Sequence, residues 1–340
     1  MTPIFTFTSE QREGLQELFA AVRTSPYEDH RTFMNEVGRV IERGLVPNYF
    51  VELCDRIRRE RANGGDQAHV IRGCPLDADL PELDSKDPVA DKVAKKTTFV
   101  AEAFMALFGI LVQTPLLSYG SRFNGAFFVD VVAIEKYSGM QTGFSDSELV
   151  YHNERTAHPV RADFITLLGM RSPEGDFIYT GFIDGRDLLA NLSADMQATL
   201  REPLFITPYD VFSRDNNGAL STSEEHSILE NDHSFRYLDT STTTIPTAPE
   251  RAKDALLALK NAMVHAPKTR HRIETGDLFT FANQDGLHCR DKMEIHDAER
   301  ARQRWLLKTY AFRDQAAADR HAARWIDGTP GRVGDGTSER

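Results

Sequence analysis

The chain has 340 residues, 41% of them hydrophobic and 27% charged, with a formal charge of −11 at neutral pH. That composition suits a globular protein with a sizeable core, and the acidic balance argues against nucleic acid or an anionic membrane as the main partner. Cys54, Cys74 and Cys289 are scattered and form neither a disulfide framework nor a zinc spacing, which fits a reducing, cytoplasmic setting.

Met1 to Phe7 shows no basic stretch followed by a long apolar run, so no signal peptide is expected. Thr8-Ser9-Glu10 then precedes Leu15, Leu18, Phe19 and Val22, which are spaced for one face of a helix. Amphipathic patterns follow from Arg31 to Ile41 and from Asn48 to Arg59. Ala68 to Ile71 predicts a strand, Leu76 to Asp87 a Pro- and Asp-rich loop, and Pro88 to Val112 one long helix. The most apolar window, Phe99 to Leu117, is broken by Glu102, Gln113 and Pro115, and reads as a buried helix and not a membrane span.

After Gly120 the character changes. Ala126 to Ile134 is β-branched and aromatic, and strands are expected again at Leu149 to His152, Asp163 to Met170 and Phe177 to Phe182. Arg186 to Leu200 predicts a helix, Leu204 to Phe212 and Phe235 to Leu238 predict strands, and the polar stretch Ser213 to Asn231 reads as a mobile insert or lid. Pro249 to Val264 is helical, Leu278 to Phe281 and Arg304 to Phe312 are strand-like, and the Gly-rich end reads as a disordered tail. Helices first and many short strands after them imply a mainly β, α+β fold: a sandwich or jelly-roll core wrapped by helices.

His152-Asn153-Glu154 carries the chemistry. A histidine and a carboxylate two residues apart on a strand point to the same side, so both can reach one metal ion. A second histidine from a distant strand completes a facial triad, the usual cage for non-haem Fe(II). His-x-Glu alone is equally a solvated polar pair on a strand end. A zinc hydrolase with the same ligand types more often shows His-Glu-x-x-His on a helix, which is absent.

Val150 to Pro159, running on through Arg161-Ala162-Asp163-Phe164, resembles the iron-binding segment of the clavaminate-synthase-like branch of the taurine-dioxygenase superfamily. Asn153 stands where that branch commonly has threonine, and its side chain is expected to point away from the metal. Gly276-Asp277-Leu278-Phe279-Thr280-Phe281-Ala282-Asn283 leads to His288 as the family's distal-histidine segment does. The resemblance makes His288 the third ligand, with His296 its competitor. Arg304-Trp305-Leu306-Leu307-Lys308-Thr309-Tyr310 resembles the final core strand.

The resemblance implies a double-stranded β-helix (jelly-roll) oxygenase over residues 1–325. Residues 1–115 would form a helical cover and 116–312 a catalytic core with a lid at 213–231, leaving 326–340 as tail. It implies Fe(II), 2-oxoglutarate and O2, with hydroxylation of an amino acid, free or tethered to a carrier protein, and release of succinate and CO2. The ligand carboxylate disfavours halogenation. Arg304 would hold the distal carboxylate of 2-oxoglutarate, with Arg302 as runner-up, because guanidinium meets carboxylate in a two-pronged fork. Thr180 would bind the same co-substrate. Lys308 stands where the family often has a substrate-binding arginine. Glu154, Asp239, Gln141, Thr142 and Ser145 are further candidates for the substrate, with Asp239 matching a basic or polar side chain. A metal-binding jelly-roll without catalysis is the competing reading, and it leaves Arg304 and Thr180 without a use.

Overall fold

The computed structural model describes residues 1–291 and 293–335. Its first third is helical: β1 (Phe5–Thr6), α1 (Ser9–Phe19), α2 (His30–Glu42), α3 (Asn48–Ala62), β2 (Ala68–Arg72), α4 (Pro88–Lys95) and α5 (Val100–Leu111). Thr8 and Gln11 form a reciprocal capping box at the start of α1, satisfying two backbone N–H groups that the helix leaves open. The single helix expected over Pro88 to Val112 is two. Lys96 is extended, and its ammonium is drawn inward to Asp77 (2.9 Å) and Glu102 (2.8 Å). The Asp77 carboxylate also accepts from the backbone N–H groups of Val100 and Ala101 and starts α5 afresh. As the apolar window implied, α5 is buried. Among the described residues no helix is long and apolar enough to cross a membrane.

Strands dominate thereafter: β3 (Leu116–Tyr119), β4 (Val129–Val132), β5 (Leu149–His152), β6 (Phe164–Arg171) and β7 (Tyr179–Asp184). The helix expected from Arg186 to Leu200 is split into α6 (Gly185–Ala190) and α7 (Ala194–Leu200), because Ser193 caps a new start. The strand expected from Leu204 to Phe212 shrinks to β8 (Phe205–Ile206), and Asp210 then caps α8 (Val211–Asn216) through the Ser213 N–H. Phe235 to Leu238 makes only isolated bridges, including His152 to Leu238. There follow β9 (Thr243–Thr244), α9 (Glu250–His265), β10 (Thr269–Arg272), β11 (Leu278–Ala282), β12 (Gly286–Arg290), α10 (Ala298–Arg302), β13 (Trp305–Ala311), α11 (Gln315–Asp319) and β14 (Arg332–Val333).

The larger sheet runs β1-β2-β11-β6-β13-β3-β14, with β4 also on β13; the smaller runs β10-β7-β12-β5. The alternation of each strand sorts its residues between layers. Ile165, Leu167, Phe281 and Leu306 face an inner cluster shared with Phe182 of the smaller sheet. Leu168, Met170, Leu307 and Trp305 face outward into a cluster with the N-terminal helices. On the far side, Ile183 and Leu287 pack under α6, α7 and α9. This is a two-sheet core clad in helices on both faces.

The insert expected as a lid is folded onto the body. Leu220 is buried against Ala157 and Tyr209, and Pro208 bridges to Thr222. The end of the chain also differs from a disordered tail as far as it is described. Arg332 and Val333 pair with Ser118 and Tyr119, and Asp335 accepts from Arg155 (3.0 Å) and Ser121 (2.6 Å). Residues 336–340 of that expectation lie outside the described residues.

A pH effect follows from the packing of the insert. Burial, with Arg236 nearby, pushes the His226 imidazole down to about 4. The unfolded chain takes up this proton near 6.5 and the folded chain does not, so stability falls as pH drops from about 6.5 towards 4. Denaturant titration should find this residue costing about 2 kcal/mol at pH 5 relative to pH 7.5, and His226→Gln should flatten that part of the slope.

Candidate active site

The smaller sheet aligns the three candidate metal ligands. His288 on β12 is the direct cross-strand partner of His152 on β5, so both imidazoles leave the sheet on one side with ring centroids 4.3 Å apart. Glu154 follows at the start of a turn. Its Oε2 lies 3.4 Å from His152 Nε2 and 3.8 Å from His288 Nε2. Donor atoms from all three lie within 4.8 Å of one another.

The protonation states suit a cation. His152 Nδ1 is 2.8 Å from the Val150 carbonyl, which holds that proton there and leaves the Nε2 lone pair free for a metal ion on the Glu154 side. Burial, reinforced by neighbouring His152, holds His288 well below its usual range, so its lone pair is free. Burial pushes the Glu154 carboxyl up, but the Lys308 ammonium outweighs it and keeps the carboxylate ionised. Two imidazoles and one carboxylate at this separation fit a divalent iron with open positions.

Asn283, three residues before β12, fixes the carboxylate's backbone. Its Oδ1 accepts from the Glu154 N–H at 2.7 Å, and its amide donates to the carbonyl of Ala162. Asn153 does point away from the ligands, and it is structural. Its amide donates to the carbonyls of Gly286 (2.8 Å) and Asn283, and its Oδ1 accepts from the Tyr237 N–H (2.8 Å). Asn153→Ala strands three buried polar partners, so chemical denaturation should show a loss of about 3 kcal/mol or more. Arg155 reverses the chain immediately afterwards, with φ of 60°, and is held by Asp335 and Ser213.

His152 and Glu154 stand between two cavities. The inner one is lined by Thr180, His288, Arg304, Lys308 and the apolar Ile165, Leu167, Phe281 and Leu306. The Arg304 side chain has no hydrogen bond or ion pair among the described residues. Burial lowers it to about 10, still cationic at neutral pH. An unpaired guanidinium and a buried threonine hydroxyl facing the metal ligands fit a small dicarboxylate. The outer cavity is lined by Gln141, Thr142, Arg122, Tyr209, Asp210 and Leu238, among others.

Several expectations change here. Arg302 ends α10 exposed and lines a neighbouring hollow beside Asp146, away from the metal ligands. Asp239 is not in the cavity wall, because Lys260 (2.5 Å) and the Tyr237 hydroxyl (2.8 Å) engage it. Ser145 accepts from Arg290 (2.9 Å), which also grips the carbonyls of Thr142, Gly143 and Ser147; it braces the loop and does not face the substrate side. Lys308 donates to Glu154 Oε1 and lines the inner cavity. His296 sits exposed beside Glu294.

Tyr310, whose hydroxyl donates to Glu154 Oε1 at 3.0 Å, was not foreseen, nor were Arg122 and Asp210. Only for Tyr310 was there a signal: it lies two residues from Lys308 on the same strand and so on the same face.

Fold and site together define an Fe(II)/2-oxoglutarate-dependent oxygenase. The family described as "Taurine catabolism dioxygenase TauD, TfdA family" matches residues 97–310, more than half of the chain, and the protein belongs to it. The chain is 28% identical to L-asparagine oxygenase of Streptomyces coelicolor over 260 residues, 75% of this chain and 73% of that protein. It is also 28% identical to L-lysine 3-hydroxylase of Catenulispora acidiphila over 142 residues, 42% of this chain and 38% of that one. Two solved structures share the fold. Asparagine oxygenase in complex with Fe(II), 2S,3S-3-hydroxyasparagine and succinate superposes with a TM-score of 0.79 at 22% identity, covering 97% and 98% of the two chains. The non-heme iron oxygenase OrfP in complex with Fe and alpha-ketoglutaric acid gives 0.77 at 20% identity, covering 98% and 100%. The jelly-roll expectation therefore holds.

Proposed function

We propose that this oxygenase hydroxylates an unactivated C–H bond of a free amino acid, with Fe(II) held by His152, Glu154 and His288. The observation that carries the reading is the pair of cavities meeting at His152 and Glu154, one furnished for a dicarboxylate and the other for a small polar molecule. When bound, the iron with 2-oxoglutarate and O2 supplies an oxidant strong enough to break such a bond, leaving succinate and CO2.

The protein's part is placement. Arg304 and Thr180 orient 2-oxoglutarate in the inner cavity, and the apolar wall of Ile165, Leu167, Phe281 and Leu306 keeps water from it. Lys308 and Tyr310 hold one oxygen of Glu154, leaving the other towards the histidines. On the outer side Thr142 lines the cavity, while the Gln141 amide is engaged by the Glu148 carbonyl (3.0 Å) and the Val150 N–H (3.2 Å) and holds the loop before the metal ligands. Arg290 steadies their loop by its four backbone and hydroxyl contacts. The amino-acid relatives support this substrate class.

The test is succinate release screened over the free amino acids, with the product examined for one added oxygen. Stimulation by one amino acid is the expected result; silence throughout, with the iron and 2-oxoglutarate bound, overturns the reading.

A further inference from the structure

The outer cavity contains a cation that takes no part in holding the metal or the co-substrate. Arg122 sits in the loop after β3, buried to 5% exposure, with its guanidinium 5.4 Å from the ring centre of Phe144 and 5.1 Å from that of Phe212. Its Nη2 donates to Asp210 Oδ2 at 2.7 Å. Among the described residues neither Nε nor Nη1 has a partner, and Nε is fully buried. A guanidinium stays charged and presents its donors in a flat fork, so an incompletely paired one in a desolvated wall favours an anion opposite it.

The acids of that wall are already engaged. Glu154 belongs to the metal ligands and Lys308. Asp210 accepts from the Ser213 N–H (3.1 Å) and hydroxyl (2.7 Å) besides Arg122, with Arg155 3.8 Å away. Lys308, the cation expected to meet the substrate, faces the inner cavity instead and is tied to Glu154.

We propose that Arg122, oriented by Asp210, receives a carboxylate of the substrate in the outer cavity. This rests on the amino-acid reading above and extends it. The carboxylate is either the one on the α-carbon or one in the side chain, and both meet Arg122 by the same chemistry. Asp210 is a positioning residue. It joins α8 of the insert to the guanidinium, so the insert's seating sets where the substrate anion rests.

The experiment is an anaerobic titration. The visible band of the Fe(II)–2-oxoglutarate complex is followed, with 2-oxoglutarate saturating, in wild type, Arg122→Gln and Arg122→Lys. The probes are amino acids with acidic, amide and basic side chains, the α-amides of the same amino acids, and dicarboxylates lacking the amine. Probes with the free carboxylate that Arg122 holds should bind wild type best. Arg122→Gln should weaken these probes at least about tenfold, consistent with loss of a charge-assisted hydrogen bond, and Arg122→Lys should lie between. The analogue whose masking lowers wild-type affinity to the Arg122→Gln level identifies which carboxylate is held.

Equal affinities in wild type and Arg122→Gln overturn the proposal, as does indifference of the wild type to masking every carboxylate. The masking arm needs no variant, so a misfolded variant does not rescue the idea. Absence of binding by any probe to wild type also overturns it. Binding that depends on Arg122, with no succinate released for any amino acid, removes the amino-acid oxygenase reading and leaves this site standing. Amino-acid turnover with unchanged KM in Arg122→Gln does the reverse.

Discussion

Replacing His288 with alanine is expected to abolish coupled turnover, by about a thousandfold or more, equivalent to ~4 kcal/mol of barrier. The imidazole sits opposite His152 in the β5–β12 pairing, with its Nε2 3.8 Å from the Glu154 carboxylate. Alanine leaves two donors where three converge, and no other described histidine, cysteine or acid joins a group of this kind. His296→Ala is the control. That side chain is exposed and, among the described residues, meets Glu294 and the edge of Phe177, so its loss should leave the rate within about twofold, as for surface changes generally. The readouts are succinate release and bound Fe(II) after anaerobic loading. Iron retained at full stoichiometry with normal turnover in His288→Ala would falsify the ligand assignment.

The second large effect belongs to Arg304. Its guanidinium lines the inner cavity with no partner among the described residues, so its pairing is available to a ligand. Arg304→Gln should raise the KM for 2-oxoglutarate by a hundredfold or more, since losing one side of a buried charge pair costs about 3 kcal/mol or more. Arg304→Lys keeps the charge and loses the fork, and should cost roughly tenfold. Arg302→Gln, at the exposed end of α10, should change the KM little. A shift that follows position 302 and not 304 would reverse the assignment of the co-substrate arm. Arg290 sharpens the contrast. Burial and the nearby Arg304 charge push it down to about 9, yet its donors are spent on the loop carbonyls.

The order of helices and strands was legible because burial patterns repeat at the period of each element. Leu15, Phe19 and the alternation of Leu167 and Leu168 carry it on their own. The places where the pattern misled are places where one polar side chain redirected the backbone. Lys96 turned inward to Asp77 and Glu102, and Ser193 and Asp210 capped new helices. Such breaks depend on a partner that is distant in sequence or on a local cap competing with apolar periodicity, and neither shows in a hydrophobic pattern.

For the site, the chain alone determined the donors. The two-residue spacing of His152 and Glu154 put both on one side of an extended chain, and the carboxylate reaches that side although β5 ends at His152 and Glu154 opens the turn after it; the segment around Asn283 pointed to His288 through its family likeness. Tertiary structure alone decided which cation faces which cavity. Arg304 and Arg302 are two residues apart, yet one lines the inner cavity and the other ends an exposed helix. Arg122 and Asp210 are far apart in sequence and carry no motif, and they meet only because α8 folds back over the loop after β3. Spacing along a strand is a local property fixed by backbone geometry; the pairing of charges across a cavity depends on how distant elements pack, and that information is not carried by either segment alone.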